Sequence, residues 1–343
     1  MSSDADDTGV PAPQVQNILE KVDIDESVAA YFPPGSRVDS ALPHGASFWT
    51  RTARINLLLE NDSPKSLFLK VAQGVDGLGL VIGEYEAAKS LYAIAPDLLP
   101  HPVGAGTYKL DPETHFYLSD YVEMIDEIPD MQKFCASLAK LHRDSIPFSP
   151  KGQFGFHVVT YNGNKARDVT WCDTWEEMFT NSVKMRVKQE RDAQGPSAGL
   201  EELLPALFEK VIPRLLRPLH TGSNKIKPVL VHGDVWYGNL ATNASTDEPI
   251  VFDPATIWAH NELDVANMTV PRFRLGRAWT REYHKHFPIS APAEDYEDRL
   301  RLYTIHGGLC ASSLYTNTTK YRQMLIEWIQ ELVDKYPEGY QEG

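Results

Sequence analysis

The sequence predicts an α+β fold with two lobes, a small one that combines a sheet with a helix and a larger one that is mainly helical. Strand-like alternation dominates the chain up to residue 122 and helical spacing dominates after it. The length of 343 residues also suits about two domains. We expect a disordered N-terminus over 1–14, a first lobe over 15–122 and a second lobe over 123–343.

Composition narrows the class of protein. The formal net charge is −14 and no long basic cluster occurs, which argues against nucleic acid or an anionic membrane surface as the main partner. No apolar run approaches the ~20 residues that a membrane-spanning helix needs. The cysteines at 135, 172 and 310 fit neither a zinc motif nor a disulfide framework, and the N-terminus lacks the features of a signal peptide. We therefore expect a cytoplasmic protein.

The first lobe begins with helical spacing and continues with strands. Apolar residues alternate with polar ones between 37 and 72, and a run rich in Asn, Asp, Ser and Pro marks a turn. The elements expected here are a helix over 15–31, strands over 55–59 and 67–71, a helix over 82–95 and a strand over 115–122.

The second lobe has longer helical periods. An amphipathic helix over 130–144 is followed by a stretch over 145–174 that is rich in Pro, Gly and aromatic residues. Long ordered loops of this kind are often functional. The remaining expected elements are helices over 174–192, 199–219, 262–287, 294–315 and 318–335, and short strands over 229–231 and 250–252.

The strongest chemical signal is the run 229–239, Val-Leu-Val-His-Gly-Asp-Val-Trp-Tyr-Gly-Asn. Asp234 follows a short apolar strand, Asn239 comes five residues later, and Asp253 ends a second apolar run. Protein kinases place a catalytic Asp, a metal-binding Asn and a metal-binding Asp in this order and spacing. Each piece alone is a common turn, but together they predict a protein-kinase-like fold. Asp234 is then the catalytic base, and Asn239 and Asp253 offer the oxygens that Mg²⁺ prefers.

A kinase also needs a lysine for the phosphates of ATP. Lys70 is the candidate, because it is the one charged residue in an apolar strand. The helix that follows offers Glu86, our first choice as its ion-pair partner, and Glu84, our second. The alternative is that both glutamates are merely solvated acids.

A loop that covers the nucleotide is expected near 42–50. Gly45 and Ser47 lie there, and their backbone amides are suited to a phosphate oxygen. No Walker sequence occurs, which disfavours the P-loop class of kinase.

These residues resemble a known family, the fructosamine/ketosamine-3-kinases. The family pattern His-Gly-Asp-Leu-Trp-x-Gly-Asn, followed by Asp-Pro-Ala, is similar to 232–239 and 253–255 here. The resemblance covers roughly 35–335. Weaker similarity includes Leu-Ala-Lys-Leu-His at 138–142, Phe-Gly-Phe at 154–156, Trp171 with Trp175, and His-Asn-Glu-Leu-Asp at 260–264.

The resemblance implies a bilobal fold like that of aminoglycoside phosphotransferases, with Mg·ATP as phosphoryl donor. It implies that the acceptor is a ketosamine, a sugar attached to an amine such as a protein lysine. Phosphorylation of the sugar 3-hydroxyl makes this adduct unstable and so reverses glycation. By the same resemblance, Lys70 with Glu86 anchors the phosphates, and Asp120, Tyr121 and Val122 form the hinge beside adenine.

The acceptor site is less well defined by the sequence. Trp236, Trp171 and Trp175 are candidates for stacking on a sugar or amine, although burial in a core is the commoner role of such residues. The segments 256–259 and 268–271 depart from the family pattern. The preferred sugar, and the choice between free and protein-bound adducts, therefore stay open.

Two other functions compete with this hypothesis. One is a kinase for another small amino-alcohol, such as an aminoglycoside or choline, against which Trp236 argues mildly. The other is a nucleotide-binding pseudokinase that serves as an interaction module. The intact set of Asp234, Asn239 and Asp253 argues against that second alternative.

Overall fold

The computed structural model describes residues 24–46, 50–125, 127–221 and 225–342. The chain folds into two compact units. The first extends to Pro129 and also contains Ala241–Ala255, and the second comprises Asp130–Leu240 and the chain from Thr256 onward. The expected boundary after 122 lies a few residues earlier, and the sequence did not indicate that 241–255 joins the first unit. The segment expected to be disordered, 1–14, and most of the helix expected over 15–31 lie outside the described residues.

The longest of the described strands, β1 to β5, lie in the first unit. In chain order they are β1 (Arg37–Ala46), β2 (Arg51–Leu58), β3 (Pro64–Gln73), β4 (Pro102–Thr107), β5 (Thr114–Asp120), β6 (Met124–Ile125), β7 (Tyr161–Asn162), β8 (Lys165–Ala166), β9 (Val229–Val231), β10 (Leu240–Asn243), β11 (Pro249–Val251) and β12 (Ile257–Ala259).

Helices predominate in the second unit. The α-helices are α1 (Glu26–Ala29), α2 (Val75–Tyr92), α3 (Met131–Ser145), α4 (Trp175–Gln194), α5 (Ala198–Ala206), α6 (Ile212–Leu216), α7 (Glu262–Met268), α8 (Arg277–Tyr283), α9 (Tyr296–Leu314) and α10 (Lys320–Lys335). Short 3₁₀ turns include Tyr237–Asn239 and Pro271–Phe273, and Leu207–Val211 is a π-helical turn.

The first unit is built on an antiparallel sheet of five strands in the order β1-β2-β3-β5-β4, against which α2 packs. Alternate residues of β2, β3 and β5 point to one side and form a buried core that includes Ile55, Leu69 and Leu118. The helix α2 begins at Val75, earlier than the expected start at 82. Glycines lower the helix propensity of this first turn, but a Cβ at Gly77 would press on Ala72, so close packing against β3 requires glycine there.

The segment 241–255 belongs to the first unit through a second, smaller sheet. β10 lies between β11 and β6, and Thr242 pairs with Ile125. The N–H of Val251 also donates to the carbonyl of Leu98 at 2.8 Å. These contacts place Asp253, just after β11, in the same unit as Lys70.

The second unit packs its helices around α9, which contacts α4, α7 and α10. Two of the long helices expected from the sequence are broken. Pro205 and Pro213 interrupt the helix expected over 199–219, and Pro271 and Gly276 divide the one expected over 262–287. Within the described residues, none of the helices has both the length and the apolar character to cross a membrane.

Candidate active site

Lys70 lies on β3 and forms an ion-paired cluster inside the first unit. Its Nζ lies 2.9 and 2.8 Å from the two carboxylate oxygens of Glu84 and 2.7 Å from Oδ1 of Asp253. The expectation that Glu86 is the partner was wrong, because Glu86 forms an ion pair with Lys89, one helical turn further on. The second choice, Glu84, pairs with Lys70.

The helical periodicity of α2 explains why Glu84, and not Glu86, pairs with Lys70. Val81 and Ala88 are buried and lie three and four residues from Glu84, so the three side chains share one face of the helix. Glu86 is two residues further on and points away from that face. The positions of Val81 and Ala88 were a signal in the sequence that favoured Glu84.

Burial and neighbouring charges have opposite effects on the pKa values of the residues in this cluster. Burial alone would lower the pKa of Lys70, but the charges of Asp253 and Glu84 outweigh it and raise that pKa above its usual value. Burial raises the pKa of Glu84 to about 7 despite the opposing charge of Lys70. Lys70 is only 7% exposed. The ammonium is therefore charged and held in place beside the middle of α2.

Asp253 has an unusual backbone conformation. Its φ of 55° lies in the left-handed region, which is sparsely populated by residues other than glycine. Such conformations are concentrated at functional sites, where the surrounding structure holds them. The Asp253 side chain remains 47% exposed although it is paired with Lys70, so this carboxylate is accessible to a ligand.

In the second unit, the loop after β9 is braced by Asp264 of α7. The two carboxylate oxygens accept hydrogen bonds from the backbone N–H groups of His232 and Gly233, each at 2.8 Å. His142 of α3 lies 3.2 Å from the same carboxylate. Burial alone would raise the pKa of Asp264, but the hydrogen bond and charge of His142, with His232, lower it below its usual value. A buried carboxylate thus fixes the backbone just before Asp234.

The carbonyl of Gly233 is held from the other side by the long loop between α3 and α4. It accepts hydrogen bonds from Nη1 of Arg167 at 3.0 Å and from Nδ2 of Asn162 at 3.2 Å. Burial and the neighbouring Arg186 lower the pKa of Arg167 to about 10, against the charges of Asp264 and Asp234. The sequence did not single out Arg167. It indicated this region only through the expectation that the loop over 145–174 is functional.

Asn239 orients the side chain of Asp234. Its Nδ2 donates to the Asp234 carbonyl at 3.0 Å and to the Asp234 Oδ2 at 3.1 Å. Asn239 is almost fully buried at the end of the turn Tyr237–Asn239. Because its N–H groups are used in this way, the side-chain oxygen is the atom of Asn239 that is suited to a cation.

The candidate tryptophans differ in accessibility. Trp175 is 1% exposed, and its Nε1 donates to the hydroxyl of Tyr303 at 2.9 Å. It is therefore a core residue, and the prediction that it contacts the acceptor was wrong. Trp171 and Trp236 are partly exposed, so each retains some ring surface. A Cβ at Gly238 would collide with the Trp236 ring, which explains the glycine two residues after that tryptophan.

The expected adenine hinge follows β5. Asp120 forms an ion pair with Lys65, and the ring of Tyr121 lies 4.2 Å from the Arg54 guanidinium. The N–H of Val122 makes no hydrogen bond to any described residue. That free donor is what an adenine-binding hinge requires.

The nucleotide loop expected over 42–50 begins within β1. Gly45 lies near the end of β1 and pairs with Thr52 of β2. Ser47 lies outside the described residues. The structure therefore assembles two groups of predicted residues: Lys70, Glu84 and Asp253 in the first unit, and Asp234 with Asn239 in the second.

Solved structures define the class of this fold. A candidate fructosamine-3-kinase of Haemophilus somnus matches with a TM-score of 0.67 and 16% identity, over 87% of this chain and 92% of that one. An aminoglycoside phosphotransferase, APH(4)-Ia, in a ternary complex with AMP-PNP and hygromycin B, matches with a TM-score of 0.58 and 14% identity over 87% and 94%. The fold is that of this kinase-like class of phosphotransferases.

The chain belongs to the fructosamine kinase family, whose model matches residues 51–335. A chloroplastic protein-ribulosamine 3-kinase of Arabidopsis thaliana is 27% identical over 268 residues, which cover 76% of this chain and 74% of the relative. The ketosamine-3-kinase of Mus musculus is 32% identical over 155 residues, 45% of this chain and 46% of the relative. The expected fold and family are thus confirmed.

Proposed function

We propose that this protein is an ATP-dependent ketosamine 3-kinase, which transfers the γ-phosphoryl group of ATP to the sugar 3-hydroxyl of ribulosamine or fructosamine adducts. The observation that carries the proposal is the loop 232–239, in which Asn239 fixes the carboxylate of Asp234 within a chain of the fructosamine kinase family. Asp264 holds the same loop from behind.

Asp234 acts on the acceptor. Asn239 fixes the carboxylate through its Oδ2, and this oriented carboxylate accepts the hydrogen bond of the sugar 3-hydroxyl. As the new bond between that hydroxyl oxygen and the γ-phosphorus forms, the bond from phosphorus to the leaving ADP oxygen breaks, and Asp234 takes the proton. The loop contributes mainly by positioning, because the Asp234 backbone is fixed on both sides of Gly233.

Lys70 acts on the donor. Its charged ammonium binds the α and β phosphates, and Glu84 keeps it in position. The free N–H of Val122 donates to the adenine ring. The partly exposed carboxylate of Asp253 and the side-chain oxygen of Asn239 are each a hard oxygen ligand of the kind that a magnesium ion prefers. When bound, that ion offsets the negative charge of the phosphates.

The acceptor is a small ketosamine or a glycated lysine of a protein, in keeping with the relatives' names. Cytoplasmic location is part of the same proposal. It is supported by the three cysteines, which are buried free thiols as expected in a reducing compartment.

The test is consumption of Mg·ATP with ribulose-lysine, fructose-lysine, choline and an aminoglycoside, beside an Asp234→Asn control. Turnover of a ketose-lysine that is lost in Asp234→Asn is the expected result, and the rates rank the two sugars. Turnover of choline or the aminoglycoside alone would keep the kinase and discard the ketosamine. ATP binding without turnover of any acceptor would instead favour the pseudokinase.

A further inference from the structure

Beside the catalytic loop lies a group of arginines and aromatic rings that the reaction above does not use. From it we infer that Arg272 and Arg274 form an anionic subsite for the acceptor, and that the preferred acceptor is a ketosamine whose amine belongs to an amino acid with a free carboxylate. This inference rests on the proposed function and specifies its substrate class.

The arginines are located by ring contacts to the residues that follow Asp234. The ring of Phe273 lies 6.1 Å from that of Trp236. The guanidinium of Arg274 lies over the ring of Tyr237, 4.4 Å from its centroid. Trp236 and Tyr237 come directly after Asp234 and Val235, so these contacts place the segment 271–274 against the loop that carries Asp234.

Stacking restricts the motion of both guanidinium groups. Arg272 lies 4.6 Å from the ring centroid of Phe273 and 5.0 Å from that of Tyr321. Arg274 is exposed and adopts a φ of 58°, in the left-handed region. A stacked guanidinium keeps its N–H donors at the edge of the plane, where a carboxylate can accept two of them.

Neither arginine has an acidic partner in the part of the chain that the structure describes. Arg277, a few residues further on, differs in that it pairs with Glu297. The chain carries a net charge of −14, so carboxylates are abundant, yet no carboxylate of a described residue lies within ion-pair distance of these two cations. Two stacked arginines that have no acidic partner among the described residues, next to the loop that carries Asp234, are suited to an anionic ligand group.

The chemistry of ketosamines supplies such a group. When a sugar reacts with a free amino acid, the adduct carries both the 3-hydroxyl and the amino-acid carboxylate. When the amine is a lysine within a protein, the nearby main-chain carbonyl is an amide and has no charge. The arginines therefore select free amino-acid adducts over protein-bound ones.

The experiment compares acceptors that differ by one charge. Deoxyribulosyl-glycine and deoxyribulosyl-glycinamide share the sugar and the amine, and kcat/KM is measured for each with the full chain. We expect the carboxylate form to be favoured by about tenfold or more, as charge-assisted bidentate hydrogen bonds imply. In the double variant Arg272→Gln/Arg274→Gln, the ratio should fall to about one.

Two further variants make the comparison specific. Arg281→Gln removes an exposed arginine of α8 that makes no ring contact with a described residue, and it should keep the wild-type ratio. Arg274→Gln changes an exposed side chain, so it should fold normally and lower the ratio by itself. The inference is overturned by equal use of both acceptors by the wild type, by an unchanged ratio in the double variant, or by a raised KM for ATP in place of a changed ratio. Failure of the wild type to phosphorylate either adduct would defeat the proposed function itself.

Discussion

The ion pair between Lys70 and Glu84 can be tested against the pairing that the sequence had favoured. Glu84→Gln keeps the size of the side chain and removes its charge. Glu86→Gln makes the same chemical change two residues away in the same helix, where the glutamate pairs across one turn with the exposed Lys89. The two variants are therefore matched controls for each other.

The expected size of the effect follows from the contacts of Lys70. Glu84 accepts two hydrogen bonds from Nζ, and an interaction of this kind with a charged group contributes about 1.5–3 kcal/mol. Asp253 still binds the ammonium in the variant, so we take a loss of about 2 kcal/mol, which is roughly 30-fold in kcat/KM for ATP. For Glu86→Gln, a helical pair of about 0.2–0.5 kcal/mol implies less than about a threefold change.

The assay is steady-state kinetics with ATP varied and the ketosamine held at saturation. Thermal unfolding of each variant checks that both proteins are folded. A larger loss in Glu86→Gln, or equal losses in the two variants, would refute the assignment of Glu84 as the residue that holds Lys70.

Two further predictions concern the second unit. Arg167→Gln removes a charged donor from the carbonyl of Gly233, so we expect kcat to fall about tenfold while KM for ATP keeps its wild-type value; an unchanged kcat would contradict a positioning role. The pKa values of His220, His260, His284 and His306 lie below the usual value because of burial, so the unfolded chain binds about four more protons than the folded one below pH ~6.5. Glu84, with its pKa raised by burial to about 7, opposes one of them between its unfolded value of 4.5 and pH 7. Stability should therefore decrease as the pH falls below about 6.5, by up to about 4.1 kcal/mol per pH unit for three net protons, as measured by urea unfolding at several pH values. In His306→Gln, the slope should decrease by the contribution of one proton. If stability is constant or increases as the pH falls, the histidines are charged in the folded protein and the prediction is wrong.

The parts of the site that were predictable are those whose residues are close in sequence. Asp234 and Asn239 lie in one loop, so their spacing in the sequence indicates how their side chains are arranged. Glu84 could also have been predicted, because the helical period of α2 places it on the same face as Val81 and Ala88. The first choice of Glu86 relied on the presence of an acid in the helix and neglected which face it occupies.

What the sequence did not reveal depends on contacts between distant segments. The pairing of β10 with β6 joins Thr242 to Ile125 and brings Asp253 into the unit of Lys70. No local pattern encodes that pairing, since short apolar strands of three or four residues fit many partners. Trp175 illustrates the same limit, because helical spacing shows that it lies on an apolar face but not whether that face is covered.

The catalytic loop shows how distant residues produce a local geometry. Gly233 has a φ of 82°, which permits its N–H and its carbonyl to be bound by side chains from different directions. Asp264 takes the N–H, and Arg167 and Asn162 take the carbonyl, so both peptide groups that flank Gly233 are fixed. A side chain at 233 would strain this conformation and disturb the orientation of Asp234. The long loop between α3 and α4 therefore contributes to the site by holding the backbone before Asp234, and we propose that the arginines on either side of Phe273 select the acceptor.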